Sequence, residues 1–160
     1  MGERNGKKIF GFDYGNLPAT IITLDLLDET IILTTSSGTK GLIHARDAEE
    51  RIIASFSNIS NVISYLKEKQ PTVVSLIPMG LNAESPAIED TVCAEIIRKR
   101  LSHEKIDTTG YFSIIEDCLG MKRLKKLGQQ ADIYYCLQPD LFPIIPYYDK
   151  KRKAIDKKEL

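Results

Sequence analysis

The sequence has no apolar run long enough to cross a bilayer. Its longest runs, residues 30–33 and 73–77, fall far short of the roughly 20 residues that a spanning helix needs. The opening MGERNGKK carries no apolar core, so no secretory signal is expected there. Met1-Gly2 opens a myristoylation pattern, but Gly6 stands where that pattern takes Ser or Thr. Net charge is missing too, because 22 basic and 22 acidic side chains cancel. No overall field then draws the chain to nucleic acid or to an acidic membrane. The basic run Lys122, Arg123, Lys125 and Lys126 lacks interleaved aromatics, which argues further against nucleic acid. Toward a helix C-terminus, that run is explained by the helix dipole. Recognition of an anion must therefore be local. Cysteine is sparse: Cys93, Cys118 and Cys136 lie far apart and form neither a CxxC pair nor a metal spacing. Buried reduced thiols in helices are the expectation, and with them a cytoplasmic location. Internal repeats, low-complexity tracts and linkers are also lacking.

What is present suits one domain. The 160 residues are 42% hydrophobic and 28% charged, enough to bury a core without a disulfide or a metal. Short β-branched runs alternate with helical runs, which predicts an α/β fold. Strands are expected at 9–12, 30–35, 51–56 and 72–77. Helices are expected from Pro18, over 39–45, from Asn58 to Pro71, from Ser85 with Pro86 at its first position, over 113–127 and over 131–137. Ile59, Val62, Ile63 and Leu66 fall on one face of the first long helix; Ile88, Val92, Ile96, Ile97 and Leu101 fall on one face of the second. Gly128 reads as the left-handed residue past a helix end. The Pro-containing DLFPIIPYY reads as extended, and the basic end as frayed.

Three segments could carry chemistry. TTSSGT, Thr34 to Thr39, ends a strand in hydroxyls and a glycine just before a helix, a natural seat for phosphate or sulfonate. Helix capping by Ser37 explains the same residues without a ligand. GFDYGNLP sets Asp13 and Asn16 among glycines, both hard oxygen ligands suited to Mg²⁺ and both ordinary turn residues. Glu89 and Asp90 follow Glu84 at a helix start, where the dipole favours negative charge; an acid–base or metal role is the alternative. Arg4 and Arg46 could fork onto an oxyanion.

Taken in order, these segments resemble the 2-phosphosulfolactate phosphatase family. Gly2-Glu3-Arg4 with Gly6 is similar to the family's G-E-R-x-G. Gly11-Phe12-Asp13, Gly15-Asn16 and Pro18 are similar to G-F-D-x-G-N-S-P, and residues 34–39 to T-T-T-N-G-T. Ala45-Arg46, Ala48-Glu49-Glu50, Gly80, Glu89-Asp90-Thr91, Lys126-Leu127-Gly128, Asp132 and Tyr135-Cys136 continue the match. Ser37 and Leu17 depart from the family's Asn and Ser, and Met79-Gly80 stands at its A-G turn.

The resemblance implies a layered α/β/α fold with short strands between helices, over residues 1–148, followed by a basic tail at 149–160. It implies that the N-terminal part of the family fold, with a D-x-L-R-A-T-like motif, is missing. It implies Mg²⁺-dependent hydrolysis of 2-phospho-3-sulfolactate to 3-sulfolactate and phosphate, a step of coenzyme M biosynthesis in methanogens. Asp13, Glu89 and Asp90 are then the catalytic candidates. Arg4, Asn16, Thr35, Ser37, Gly38 and Thr39 would bind substrate, and Glu3 and Asp13 the metal. The alternatives are an anion-binding or assembly protein of the same fold, or one half of a split enzyme. The expected partners are a small anionic substrate, a homo-oligomer or a complementing N-terminal polypeptide, with neither nucleic acid nor membrane.

Overall fold

A computed structural model gives the fold and describes residues 1–4 and 6–158. The chain is an α/β mixture of helices and short strands. In order, it forms β1 (Glu3–Arg4), β2 (Lys7–Lys8), α1 (Pro18–Ile21), α2 (Gly38–His44), a 3-10 turn (Phe56–Asn58) and α3 (Ile59–Lys69). Then come α4 (Ile88–Leu101), α5 (Thr109–Glu116), α6 (Leu119–Lys126), α7 (Gln130–Leu137), β3 (Ile145–Asp149) and β4 (Ala154–Lys158). Among the described residues the ladders are two antiparallel hairpins, β1–β2 and β3–β4. No helix among them is long and apolar enough to cross a membrane.

The core is helical. Ile59, Val62 and Ile63 of α3 are buried, as are Val92, Ile96 and Ile97 of α4, so both helical periodicities place their central residues inside. Ile88, at the edge of its face, stays exposed. Phe56, Cys93, Ile115, Cys118 and Met121 close one cluster with Ile59, Ile63, Val92, Ile96 and Ile97. Burying apolar side chains of this size stabilises by about 1.5–3 kcal/mol each relative to exposure. Asn58 starts α3, but its side chain does not cap the helix. Its Oδ1 accepts from the Ser55 N–H at 2.9 Å, and its Nδ2 donates to the carbonyls of Ile53 and Ile144. The residue is buried, and these bonds satisfy it.

Several expectations need correction. Residues 9–12 form a turn, not a strand. The β-branched run 30–35 makes only a single bridge, Thr34 with Gly2, and 72–77 makes no ladder among the described residues. Ile32 and Val73 are therefore 80% and 76% exposed. The run 51–56 does meet a strand: Ile53 N–H donates to Pro146 O at 2.8 Å and Tyr148 N–H to Arg51 O at 3.0 Å. Pro86 precedes α4, which starts at Ile88 with Ala87 as its N-cap. The helix expected over 113–127 is two helices. Cys118 is extended between them (ψ 164°), and its sulfur accepts from the Met121 N–H at 3.5 Å, capping α6. Cys136 is exposed rather than buried, and all three thiols are free. The basic end is not frayed over 154–158, where β4 pairs with β3; residues 159–160 lie outside the described part. Lys158 binds Glu50, and its ammonium lies 4.6 Å from the Tyr147 ring centroid.

Candidate active site

The N-terminal hairpin reaches the hydroxyl-rich turn through backbone pairing. Thr34 N–H donates to Met1 O at 3.2 Å, and Gly2 bridges Thr34 in parallel. This register lays Glu3 beside Ser36, whose hydroxyl donates to Glu3 Oε1 at 2.8 Å. The Gly6 N–H donates to Glu3 Oε2, also at 2.8 Å. Each carboxylate oxygen thus keeps an acceptor site to spare. Partial burial pushes the Glu3 carboxyl up, but the Gly6 N–H, the Ser36 hydroxyl and the charges of Arg123 and Arg4 outweigh it. The net effect holds Glu3 below the ordinary carboxylate value.

Glu3 lines two cavities. The larger, of about 280 Å³, is bounded by Glu3, Thr35, Ser36, Ser37, Gly38, Leu81, Asn82 and Arg123. That volume lies near the lower end of the range for small-molecule pockets. The smaller, of about 190 Å³, is bounded by Glu3, Gly6, Lys8, Tyr14, Gly15, Asn16, Leu17, Thr20 and Ile21.

The second wall of the larger cavity is a loop tied to the first by one hydroxyl. Ser37 precedes α2 but makes no side-chain cap. Its hydroxyl donates to Gly80 O at 2.8 Å and accepts from the Ala83 N–H at 3.2 Å. Thr35 takes the part nearest to a cap, accepting from the Thr39 N–H at 3.2 Å. Lys40 adds a bond to Asn82 O at 3.0 Å. The loop is tightly wound: Gly80, Asn82 and Ala83 all have left-handed φ, of 65°, 57° and 59°.

Asp90, on α4, sits behind that loop. Its carboxylate accepts from the Gly80 N–H at 2.7 Å. Burial raises its pKa, the Gly80 bond opposes the rise, and the charge of Glu89 adds to it. With a folded-state pKa above the unfolded one, Asp90 favours folding most below the unfolded value. That contribution is lost as pH rises through the folded value. Asp90→Ala, which strands the Gly80 N–H, is expected to lower stability by about 1–3 kcal/mol. Asp90→Asn keeps an acceptor oxygen and should change a urea melt little. A large loss of activity in Asp90→Asn with an unchanged melt would show a chemical role instead.

The other expected residues are spread around these walls. Thr35, Ser37 and Gly38 line the larger cavity, while Asn16 lines the smaller one. Thr39 sits on α2 behind Thr35. Arg4 donates to Thr34 Oγ1 at 3.2 Å and to its neighbour's carbonyl. Arg46 is exposed beside Asp47. Asp13 is exposed and lines neither cavity. Glu89 accepts from the Cys118 thiol at 3.5 Å, away from both. Ser36, Asn82 and Arg123 were not among the expected site residues. Ser36 lay inside the hydroxyl run, and Arg123 inside a run explained by the helix dipole.

Among the described residues, no group of three His, Cys, Asp or Glu side chains could hold a metal together. Mg²⁺ asks for less. It keeps several waters and takes one or two carboxylates plus substrate phosphate. Glu3, ionised and with spare lone pairs, fits that demand.

Hard-oxygen donors, hydroxyls and a guanidinium thus line one cavity. The comparisons with known proteins show the family. The chain is 35% identical to a protein of Thermotoga petrophila named probable 2-phosphosulfolactate phosphatase, over 91% of this chain and 68% of that one. It is 31% identical to a protein of the same name from Synechocystis sp., over 91% of this chain and 67% of that one. The model of the 2-phosphosulpholactate phosphatase family matches residues 1–151. The chain belongs to that family of phosphatases, and it spans about two thirds of the length of these relatives.

Proposed function

We propose that this chain hydrolyses 2-phospho-3-sulfolactate to 3-sulfolactate and phosphate, using Mg²⁺. The observation that carries this reading is Glu3. It is held ionised in the wall of a cavity of about 280 Å³, beside the hydroxyl turn at 35–38 and across from the loop that carries Leu81 and Asn82. Membership of the family, and the names of the relatives, support this choice of substrate.

The roles follow from the chemistry of each group. Glu3 acts as a fixed negative ligand, because a carboxyl held below its ordinary value stays ionised and is a poor proton carrier at neutral pH. Ser36 and the Gly6 N–H fix the orientation of that carboxylate. Ser37 holds the two walls in register, and Asp90 supports the far one. Thr35, Gly38 and Asn82 complete the lining against which the anion rests. When bound, Mg²⁺ would neutralise phosphoryl oxygens and lower the pKa of a water. Phosphoryl transfer asks the protein mainly for positioning and charge stabilisation, and these residues are arranged to give both.

The test is phosphate release from 2-phospho-3-sulfolactate by the full chain, titrated with Mg²⁺. Release that rises with Mg²⁺ and stops with a chelator is the expected result. Absence of release at every Mg²⁺ concentration, with 3-sulfolactate still binding, would mark an anion-binding protein of this fold.

A further inference from the structure

We infer that Arg123 is the residue that grips an oxyanion of the substrate in the Glu3 cavity, an inference that rests on the phosphatase reading above. Arg123 lies on α6, 120 residues after Glu3 in the chain, yet both line the same cavity. Its charge helps to hold the Glu3 carboxyl ionised, so the two charges lie within electrostatic reach across that cavity. Among the described residues, however, the Arg123 guanidinium makes no hydrogen bond and no ion pair. Its donors remain available to a ligand. Its neighbour Lys122 is spent on Asp117 at 2.7 Å.

α6 approaches the N-terminal hairpin at a glycine. Gly6 has φ 77°, and a Cβ there would come 2.7 Å from Leu127 Cδ1 and 3.4 Å from Arg123 Nη2. Gln129 Nε2 fastens the same point by donating to Gly6 O at 3.4 Å. The hairpin turn that orients Glu3 is thus the one that receives the end of α6. A dianionic ester placed beside an ionised Glu3 would be repelled by it. Within this cavity Arg123 is the cationic side chain that offsets the repulsion. A planar fork of donors suits either the phosphate or the sulfonate of such a substrate.

The test uses the full chain with Mg²⁺ and two probes, inorganic phosphate and methanesulfonate, followed by titration calorimetry. Arg123→Met is expected to weaken at least one of the two by about 10-fold or more, the scale of a lost charge-assisted bond. Arg123→Lys should fall between, keeping the charge and losing the fork. Lys122→Met, on the same helix, should match the parent chain. The KM for the phosphate ester should rise in Arg123→Met more than kcat falls. The probe that weakens tells which acid group the guanidinium holds. Equal affinity of the parent chain and Arg123→Met for both probes, with unchanged KM, overturns the inference and leaves the phosphatase standing. A parent chain that binds neither probe and releases no phosphate overturns both.

Discussion

Glu3→Gln is expected to lose Mg²⁺-stimulated phosphate release by about 10²-fold or more, the scale seen when one preorganised electrostatic contact is removed. The substitution is nearly isosteric. It keeps an oxygen to accept one of the two bonds from Gly6 and Ser36, and it deletes the charge. Its effect on folding should be small next to its effect on turnover. A companion variant separates the two carboxylates expected at the metal. Asp13 is exposed and outside both cavities, so Asp13→Asn that keeps full Mg²⁺ stimulation would remove Asp13 from the site. Activity at parental levels in Glu3→Gln would end the proposal for Glu3. The pH dependence has a definite sign. Glu3 has a folded-state pKa below its unfolded one, so its contribution to stability is present above the unfolded value. That contribution is lost as pH falls through the folded value. Activity that needs ionised Glu3 should persist below the usual carboxylate range and fail only under stronger acid.

Gly80→Ala should be the most damaging single methyl in the site. Gly80 has φ 65°, and an added Cβ would collide with the Ser85 carbonyl oxygen. A left-handed alanine costs about 1–3 kcal/mol, and forcing the loop aside adds a similar amount. A chemical melt should therefore show a loss of roughly 2–6 kcal/mol, with activity falling further than stability alone accounts for. The second loss arises because Gly80 is gripped on both sides, by Asp90 at its N–H and by Ser37 at its carbonyl. Moving it moves Asn82 and the cavity wall. A melt within 1 kcal/mol of the parent chain would refute this account of the loop; that threshold is about the cost of one net hydrogen bond.

The sequence reveals the helices better than the strands. The faces of α3 and α4 follow the helical period because both lie against one core. Gly128 ends α6 as expected: its N–H bonds Lys125 O and the Gln129 N–H bonds Leu124 O. The break at Asp117–Cys118 left no sign, since neither residue is a helix breaker and the cap is a thiol. Residues 30–35 and 72–77 have the composition of buried strands, but composition does not supply a neighbour to pair with. β4 escaped notice because Asp156, Lys157 and Lys158 mask any alternation, and it is held by Glu50 and Tyr65, far back in the chain. The hydroxyl turn was legible because its residues are contiguous. Glu3 could be suspected only through the family resemblance, since a lone acidic residue in a glycine turn has no pattern of its own. Arg123 was hidden by distance: its place depends on how α6 docks on Gly6, which no local spacing encodes.

The Ser37 oxygen joins its own wall to the facing one, which it meets at Gly80 and Ala83, 43 and 46 positions along the chain. Opening either wall therefore breaks the bond to the Ala83 amide. Deuterium uptake at that single amide becomes a native gauge of how often the pocket gapes, readable without substrate, metal or turnover. It also gives a way to ask whether an occupant clamps the two walls together before any chemistry begins.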